Sequence, residues 1–367
     1  MLAHWNSSET TLFFKGNRME RIVEKGLWQY LKQTDKPIVL YGMGNGADKI
    51  IKVLEEKEIR YNGVFASDGF VRDKEFHGFK ISSYQELKEK FGEMIVLLCF
   101  GSSRPEVIAN VKRIASEQEL YAPEVPVIGG GLFTESYFKN NLEEFKAVYD
   151  RLADDKSRQT FTDIVNYKLS GKIEYLFDCQ TQPYEPYENF FKLHDNEVFL
   201  DLGAYTGDTV ADFMNRVNDW KGIIAVEPDK KTFKKLVRNT ENVKKIELLN
   251  KCISSYCGVG GFAMNSGRNS VISENGTQTE FVTVDSILNG RDVSYIKMDV
   301  EGEEVGAITG GSESIKRCKP KMLISCYHRT DDLLSIPKAV LSIRNDYKMY
   351  MRHFSSILAW DTNYYFV

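Results

Sequence analysis

The segment EVFLDLGAYTGDTVADF, residues 197–213, decides the fold. An apolar run ends at Asp201, the chain turns through Gly203 and Gly207, and apolar residues then recur at helical spacing. A strand, a glycine turn and a helix in this order are typical of α/β proteins with a parallel sheet. A second segment of this kind, VLYGMGNGADKI at 39–50, stands earlier in the chain. The sequence therefore predicts two Rossmann-like units.

Length and the alternation of elements divide the chain into four regions. A chain of 367 residues exceeds the usual size of one hydrophobic core. Strands and helices alternate in two series, and a stretch of helical periodicity separates them. We predict an N-terminal helical segment at 1–35, a smaller Rossmann-like domain of the nucleotide-binding type at 36–135, a helical connector at 136–192 and a second α/β domain at 193–367.

Within these regions, hydrophobic periodicity predicts the individual elements. Examples are helices at 84–91, 230–239 and 303–315 and a strand at 281–284. After a predicted helix near 335–345, the aromatic-rich runs YKMYMRHF and TNYYFV are too close together for a parallel crossover. They predict a terminal antiparallel hairpin that closes a parallel sheet, an arrangement that resembles the class I methyltransferase fold.

The glycine turn at 201–207 does not suit a pyrophosphate. In dinucleotide-binding folds a middle glycine lets the backbone approach the phosphates, but Tyr205 occupies that position here and Asp201 adds a negative charge. S-adenosylmethionine carries an ammonium and a sulfonium group, which an acidic turn attracts. Glu227, in IIAVEPD at the end of the next predicted strand, is placed to accept hydrogen bonds from ribose hydroxyls. We therefore expect S-adenosylmethionine as the cofactor.

Two further strand ends are predicted to flank the same cleft. VSYIKMDVEGEEVGAI ends its strand at Asp299 and Glu301, and KMLISCYHRTDDL ends the next strand at Tyr327 and His328. His328 is the first candidate for a general base, because imidazole titrates near neutral pH. Asp299 is the second candidate, and its alternative role is to orient the donor or the acceptor. Asp299, Glu301 and His328 thus form the predicted catalytic set.

Simpler roles stay open for these three residues. His328 can be a structural residue with satisfied hydrogen bonds, and Glu301 can favour the start of the following helix through the helix dipole. Asp299, Glu301 and His328 also offer the oxygen and imidazole donors of an octahedral divalent-metal site. Our prediction from the sequence is a site without a metal.

Several segments together resemble the FkbM family of S-adenosylmethionine-dependent methyltransferases in order and spacing: FLDLGAYTGDT, AVEPD, VTVDSIL, YIKMDVEGEE, KPKMLISCYH and DLLSIP. The resemblance covers about residues 193–367 and implies O-methylation, commonly of a sugar or secondary-metabolite hydroxyl. Where the family often has an acid facing adenine, this chain has NKCISSYCG at 250–258, so Cys252 and Ile253 can only pack on the ring. The expected donor-binding residues are Asp201, Gly203, Ala204, Tyr205, Gly207, Asp208, Thr209, Glu227, Cys252, Ile253 and Asp299.

The first glycine turn, YGMGNGA, differs from the second in its charge. Gly42, Gly44 and Gly46 have no acid before them, and Asp68 ends the next predicted strand. This pattern is closer to a dinucleotide or nucleotide-sugar loop, so these four residues form a candidate second nucleotide site. The alternative is an empty domain used for packing or dimerisation.

Composition narrows the function classes. A formal net charge of −4 disfavours a general nucleic-acid binder, and no run approaches the ~20 apolar residues that a membrane helix needs. The six cysteines lack the spacing of a zinc site, and the first residues lack the features of a secretory signal, so we expect a cytoplasmic protein. The expected partner is a small-molecule or glycan acceptor, with no nucleic acid and no membrane. A homodimer stays open.

The main prediction is an S-adenosylmethionine-dependent O-methyltransferase that acts on a hydroxyl of a sugar, a glycan or a small metabolite. Its enzyme alternative is an oxidoreductase that binds NAD or a nucleotide sugar in the 39–68 region. Its non-enzyme alternative is a sensor or scaffold with an inactive methyltransferase-like domain.

Overall fold

Two mostly parallel sheets form the scaffold of the molecule. The computed structural model describes residues 26–67, 74–264, 270–272 and 277–367. Within these ranges the chain forms a six-stranded sheet, a seven-stranded sheet and a small four-stranded sheet, together with fifteen helices. The α/β class predicted from the sequence is confirmed. No helix of the described segments combines the length and the apolar character that a membrane crossing requires.

The first α/β unit is a six-stranded sheet with its helices. Its elements are α1 (Leu27–Gln33), β1 (Ile38–Tyr41), α2 (Asn45–Glu56), β2 (Gly63–Phe65), β3 (Glu75–Phe76), β4 (Phe79–Ser82), α3 (Tyr84–Phe91), β5 (Ile95–Leu98), α4 (Pro105–Glu117) and β6 (Glu119–Tyr121). The strand order is β3-β4-β2-β1-β5-β6, and the edge pair of β3 and β4 is antiparallel while the other pairs are parallel. Every residue of β1 and β5 is buried, as expected for a parallel sheet covered on both faces.

Helices connect the two larger sheets, and the longest of them is enclosed by other elements. They are α5 (Glu135–Asn140), α6 (Leu142–Arg151), α7 (Asp155–Ser170), α8 (Glu174–Asp178) and α9 (Glu185–Asn189). α7 buries residues on all sides, including the polar side chains of Asp163 and Asn166. A helix with no solvent-facing stripe is a core helix, so the connector is part of the interior and not a loose linker.

The second α/β unit contains the turn at 201–207 and the remaining strands. Its elements are β7 (Val198–Leu202), α10 (Asp208–Arg216), β8 (Gly222–Val226), α11 (Lys230–Asn239), β9 (Ile246–Leu249), β10 (Cys252–Ile253), β11 (Gly258–Met264), β12 (Ser270–Ile272), β13 (Thr277–Val282), α12 (Val284–Leu288), β14 (Tyr295–Met298), α13 (Glu304–Thr309), α14 (Ser312–Cys318), β15 (Lys321–Ser325), α15 (Asp332–Ile343), β16 (Met349–His353) and β17 (Thr362–Phe366).

Seven of these strands form one sheet in the order β16-β17-β15-β14-β7-β8-β9. The strands from β15 to β9 in that order run parallel, while β17 pairs antiparallel with both β15 and β16. A parallel sheet that ends in an antiparallel hairpin is the arrangement predicted from the sequence. The carboxyl ends of β7, β8, β14 and β15 meet at one edge, where ligands of open α/β sheets bind.

Two features differ from the sequence-based predictions. β10, β11, β12 and β13 form a separate four-stranded sheet in place of the single strand predicted at 281–284. Glycines at 258, 260 and 261 interrupt the side-chain alternation that would reveal β11. The helix predicted at 303–315 is divided into α13 and α14 at Gly310, where a Cβ would lie 2.6 Å from the Ser254 carbonyl oxygen. The backbone thus approaches too closely there for any larger residue.

The two α/β units contact each other near the carboxyl ends of their strands. The backbone N–H of Ile128 donates to the carbonyl oxygen of His328 at 3.1 Å, and Ser102 pairs with Ile357 in an isolated antiparallel bridge. A Cβ on Gly101 would lie 2.5 Å from the ring of Trp360, so the glycine permits this close packing. The first unit therefore forms part of the surroundings of the second unit's strand ends.

A buried arginine joins the connector to the seven-stranded sheet. The Arg352 side chain on β16 is 2% exposed and lies 2.7 Å from Asp154 and 2.8 Å from Glu185. It also donates to the hydroxyl of Ser157 at 2.8 Å. Loss of the arginine would leave the carboxylates of Asp154 and Glu185 without an opposite charge, so it should lower the stability of the fold.

Replacement of Arg352 by methionine should lower the free energy of unfolding by ~3 kcal/mol. This is the lower end of the range for a broken buried pair, because Asp154 and Glu185 are partly exposed. Arg113→Met is the matched control, since Arg113 is half exposed beside Glu117 and should cost less than about 1 kcal/mol. Urea unfolding measures both losses. Equal small losses would show that the Arg352 network does not secure the connector.

Candidate functional site

The turn after β7 lies against the end of β14. Gly203 has a φ of +81°, and a Cβ on it would lie 1.9 Å from the Asp299 carbonyl oxygen, so only glycine fits. Tyr205 has a φ of +46°, which is unusual for a non-glycine residue, and the residue is 45% exposed. The turn therefore presents Gly203 and Tyr205 to the adjoining cavity.

Asp201 is fully buried behind this turn. Its Oδ2 accepts a hydrogen bond from the Thr209 hydroxyl, and its Oδ1 lies 3.8 Å from Lys297 Nζ. Lys297 Nζ also donates to the Gly203 carbonyl oxygen at 3.0 Å and lies 3.8 Å from Asp299. Burial raises the pKa of Asp201. Asp201 has no exposed surface in this structure and holds the turn from behind, and its direct contact with the donor stays a prediction.

Glu227 directly follows β8 and forms part of the cavity wall. Its Oε2 accepts a hydrogen bond from the backbone N–H of Tyr205 at 3.0 Å, and its Oε1 accepts one from the N–H of Asp229 at 2.9 Å. Burial raises the pKa of Glu227 to about 7, although both hydrogen bonds favour the carboxylate. The structure thus brings this predicted donor-binding residue into direct contact with the turn.

A cavity of about 750 Å³ lies at the carboxyl ends of these strands. Among the described residues, its lining contains eight acidic side chains, which are Asp208, Asp212, Glu227, Asp229, Asp299, Glu301, Glu303 and Asp361. It contains three basic side chains, which are Arg216, Lys297 and Arg329. Because acids outnumber bases, the cavity favours a cationic ligand over a phosphorylated one.

Most of the predicted donor-binding residues line this cavity. They are Gly203, Tyr205, Asp208, Thr209, Glu227, Cys252, Ile253 and Asp299. Cys252 and Ile253 form an apolar part of the wall together with Phe281. Ala204 is fully buried in the turn, and a Cβ on Gly207 would contact the Leu236 side chain at 3.1 Å. Ala204 and Gly207 therefore shape the turn from behind the cavity surface.

His328 is buried beside the cavity and is enclosed by carboxylates. Its Nδ1 lies 2.9 Å from Glu304 Oε1, and its Nε2 lies 3.4 Å from Asp299 Oδ1 and 3.6 Å from Glu301 Oε2. Burial lowers the pKa of the imidazole, but the three carboxylates outweigh this effect and raise the pKa to about 10. The ring is therefore protonated at neutral pH in this arrangement. The carboxylates thus disfavour the neutral imidazole that a general base requires, and the role of His328 as a base stays a prediction.

Asp299 and Glu301 reach the cavity from the loop after β14. Their side chains are 32% and 27% exposed, and both line the cavity. The Tyr327 hydroxyl donates to Asp299 Oδ1 at 3.1 Å. Burial raises the pKa of Asp299, but Lys297 and His328 outweigh it and hold the pKa below its usual range. Of the predicted catalytic set, these two carboxylates are the groups that a ligand in the cavity can contact.

The connector, the terminal hairpin and the first unit complete the cavity. Pro183 and Tyr187 come from the connector, Phe354 and Asn363 come from the hairpin region, and Ile128 comes from the segment after β6. Tyr187 and Phe354 supply ring faces, and Asn363 supplies an amide group. The cavity is thus lined by residues from the segment after β6, from the end of the connector and from the second α/β unit.

The first glycine turn is explained by packing in this structure. A Cβ on Gly46 would lie 2.1 Å from the Cys99 carbonyl oxygen, so this glycine lets α2 approach β5. A Cβ on Gly42 would lie 2.5 Å from the Phe100 ring, and Gly44 directly precedes α2. Asp68, the fourth residue of the candidate nucleotide site, lies outside the described residues. A nucleotide at this turn stays a prediction.

Sequence reasoning missed Lys297 and Glu304. Glu304 is 1% exposed at the start of α13, and its Oε1 accepts a hydrogen bond from the Val300 N–H at 2.9 Å. The available signal was a lysine inside the apolar strand YIKM, followed by the acid-rich motif DVEGEE. Because buried charges are paired, a lysine in a buried strand predicts nearby carboxylates.

Comparisons with known families agree with this arrangement. Residues 201–349 match the family model described as Methyltransferase FkbM domain, which confirms the resemblance found in the sequence. A comparison with the curated proteins finds no match. Methyltransferase FkbM from Methylobacillus flagellatus KT is similar in structure, with a TM-score of 0.67, 22% sequence identity and coverage of 90% of each chain. The fold of both α/β units is therefore shared with that protein.

Other methyltransferase structures match a smaller part of the chain. Fibrillarin from Aeropyrum pernix, in complex with natively bound S-adenosylmethionine, has 12% identity and a TM-score of 0.31, and the match covers 47% of this chain and 67% of that chain. Precorrin-6y C5,15-methyltransferase from Geobacter metallireducens GS-15 has 12% identity and a TM-score of 0.31, with coverage of 48% and 80%. These likenesses concern the general fold only.

Glu227→Gln tests the buried carboxyl group of the cavity wall. Its pKa of about 7 lies above the ordinary 4.5, so the native state holds a proton that the unfolded chain releases. Wild-type stability should therefore fall as pH rises through this interval, whereas the amide has no proton to lose. Across this pH interval, the unfolding free energy of Glu227→Gln relative to that of the wild type should therefore rise by ~3 kcal/mol. Urea unfolding across the interval measures it, and a difference independent of pH would contradict the raised pKa.

Proposed function

We propose that this chain transfers a methyl group from S-adenosylmethionine to a hydroxyl of a sugar, a glycan or a small metabolite, because residues 201–349 match the family model described as Methyltransferase FkbM domain. The observation that carries this proposal is the excess of acidic side chains in the cavity lining. S-adenosylmethionine is a cationic ligand without phosphate groups, and a negative wall attracts it. An NAD molecule, with its pyrophosphate, is disfavoured by the same wall.

The residues of the cavity fit this donor. Glu227 offers carboxylate oxygens to ribose hydroxyls, and Ile253 and Phe281 offer apolar surface to the adenine ring. Gly203 and Tyr205 would face the methionine part, because they are the turn residues that reach the cavity. When bound, S-adenosylmethionine supplies a methyl group on a positively charged sulfur. The protein's part is to align an acceptor oxygen with that group.

Asp299 and Glu301 handle the acceptor in this proposal. Lys297 and Tyr327 fix Asp299, which accepts a hydrogen bond from the acceptor hydroxyl and orients it. Glu301 would take the proton that the acceptor hydroxyl loses when the methyl group passes from sulfur to its oxygen and S-adenosylhomocysteine is released. His328 lies 3.4 Å from Asp299 and 3.6 Å from Glu301, so it is a positioning residue for both carboxylates.

Other residues of the cavity lining support a sugar or another polyhydroxylated acceptor. Tyr187 and Phe354 supply ring faces, while Asn363 and Asp361 supply polar atoms. A few polar groups among apolar surfaces orient a small ligand and give specificity. A cytoplasmic location belongs to the same proposal and is supported by the six cysteines, all of which are free thiols.

The chain should bind S-adenosylmethionine and transfer its methyl group to oxygen. Calorimetry with S-adenosylmethionine and with NAD, at low and high salt, should show binding of the first ligand only, and the affinity should weaken as salt rises. Incubation with labelled donor and a panel of sugars, glycans and phenolic metabolites should give a methyl ether, which mass spectrometry and NMR identify. NAD binding alone would support an oxidoreductase, binding of neither ligand would support a scaffold, and an N- or C-methylated product would exclude the hydroxyl acceptor.

Glu301→Gln should separate proton removal from donor binding. With the acceptor found in the screen, kcat should fall by ~10²–10⁴-fold, because the amide cannot take up a proton. The dissociation constant for S-adenosylmethionine should stay unchanged. Glu313→Gln, a change of the same type at an exposed position of α14, is the control and should keep the wild-type rate. A Glu301→Gln enzyme with the wild-type kcat would assign the proton to another group.

A further inference from the structure

Three side chains beside the cavity converge on one point. Asp299, Glu304 and His328 each offer one ligand atom, and these atoms lie within 4.8 Å of one another. We propose that these residues bind a divalent cation. The role of the cation described below rests on the proposed function, whereas its binding does not.

The spacing of the three groups fits octahedral coordination. With metal–ligand bonds of ~2.1–2.4 Å, adjacent ligand atoms lie about 3.0–3.4 Å apart and opposite ones about 4.2–4.8 Å apart. His328 Nε2 lies 3.4 Å from Asp299 Oδ1, and His328 Nδ1 lies 2.9 Å from Glu304 Oε1. These two contacts use different ring nitrogens, and one ion binds only one of them. One nitrogen of His328 and one oxygen each of Asp299 and Glu304 nevertheless lie within 4.8 Å of one another, which is within the separation of opposite ligands of one ion.

Buried atoms of this cluster have no hydrogen-bond partner in the described part of the chain. These atoms are Oε2 of Glu304 and both ring nitrogens of His328, whose close carboxylate contacts are ion pairs without hydrogen-bond geometry. The side chains of His328 and Glu304 are 0% and 1% exposed, so water does not satisfy these atoms from the surface. Buried polar side-chain atoms are nearly always paired in folded proteins. A bound cation would take the place of the proton on one ring nitrogen of His328 and would also engage Oε2 of Glu304.

The cluster also carries an excess of negative charge. Glu301 Oε2 lies 3.6 Å from His328 Nε2, and Asp332 adds a further carboxyl group next to Glu304. Lys297 lies 3.8 Å from Asp299, but it lies at the same distance from Asp201 and is shared between them. Several carboxylates cannot all be ionised in one buried place unless positive charge compensates them. A divalent cation would supply that charge in place of the proton that His328 carries in this arrangement.

The ligand types indicate a hard or borderline cation of the Mn²⁺ or Mg²⁺ kind. Carboxylates suit such ions, and one imidazole is compatible with Mn²⁺. Because Asp299 lines the cavity and its side chain is 32% exposed, the ion would keep open positions on that side, as catalytic metal sites do. Two neighbouring acceptor oxygens can fill these positions. The site therefore favours an acceptor with two adjacent hydroxyl groups, as in a sugar ring.

Mn²⁺ is the probe for this site, because electron paramagnetic resonance distinguishes free from bound ion. The full-length chain, stripped with a chelator, should bind one Mn²⁺. Asp299→Asn and Glu304→Gln should each weaken binding at least ~10–100-fold, because each removes a negatively charged ligand. Glu247→Gln is the control, since Glu247 is exposed, pairs with Arg291 and should leave Mn²⁺ binding unchanged.

Circular dichroism establishes whether each variant is folded. If Glu304→Gln does not fold, Asp299→Asn still provides the test, because Asp299 is partly exposed. Absence of stoichiometric Mn²⁺ binding, or full retention of binding in a folded Asp299→Asn variant, would overturn the proposal. Calorimetry with S-adenosylmethionine in the presence of chelator keeps the two proposals separate. Donor binding without Mn²⁺ binding would reject the metal site alone.

Discussion

The geometry of the cavity depends on the buried ammonium group of Lys297. Its Nζ donates to the Gly203 carbonyl oxygen at 3.0 Å and lies 3.8 Å from the carboxylates of Asp201 and Asp299. A lysine that is buried to this extent is tolerated only where such partners surround it. Since these partners come from the ends of β7 and β14 and from the glycine turn, one charge fixes three parts of the site relative to each other. A ligand therefore meets a surface that is already organised.

The acidic side chains around this point fall into two sets. Asp201 and Glu304 are buried and hold neighbouring groups in place. Others, such as Asp208, Asp229 and Glu301, line the cavity and determine its negative charge. The acidic turn recognised in the sequence thus gave the correct sign for the cavity although the charge of Asp201 is balanced by Lys297. The acidic cavity wall as a whole repels a pyrophosphate. The N-terminus of α10 would otherwise attract one, but it carries Asp208 in its first turn.

The sequence predicts the scaffold better than the site. α3 at Tyr84–Phe91 and α11 at Lys230–Asn239 have their predicted bounds, because amphipathic periodicity is a local property of the chain. The pairing of Lys297 with Asp201 joins residues far apart in sequence, so no local pattern reveals it. The electrostatic environment of His328 is also invisible in the local sequence. The residue type alone predicts a pKa near neutrality, whereas three carboxylates that the fold places beside the ring raise its pKa.

The central claim is that the cavity between the turn, Glu227 and the end of β14 receives the methyl donor. The most direct measurement is a crystal structure of the chain grown with S-adenosylhomocysteine, the product form of that donor. We expect its density in this cavity, with the ribose hydroxyls on Glu227 and the adenine ring between Ile253 and Phe281. Density at the Gly42–Gly46 turn instead, or a phosphorylated nucleotide resting against residues 201–207, would contradict the claim.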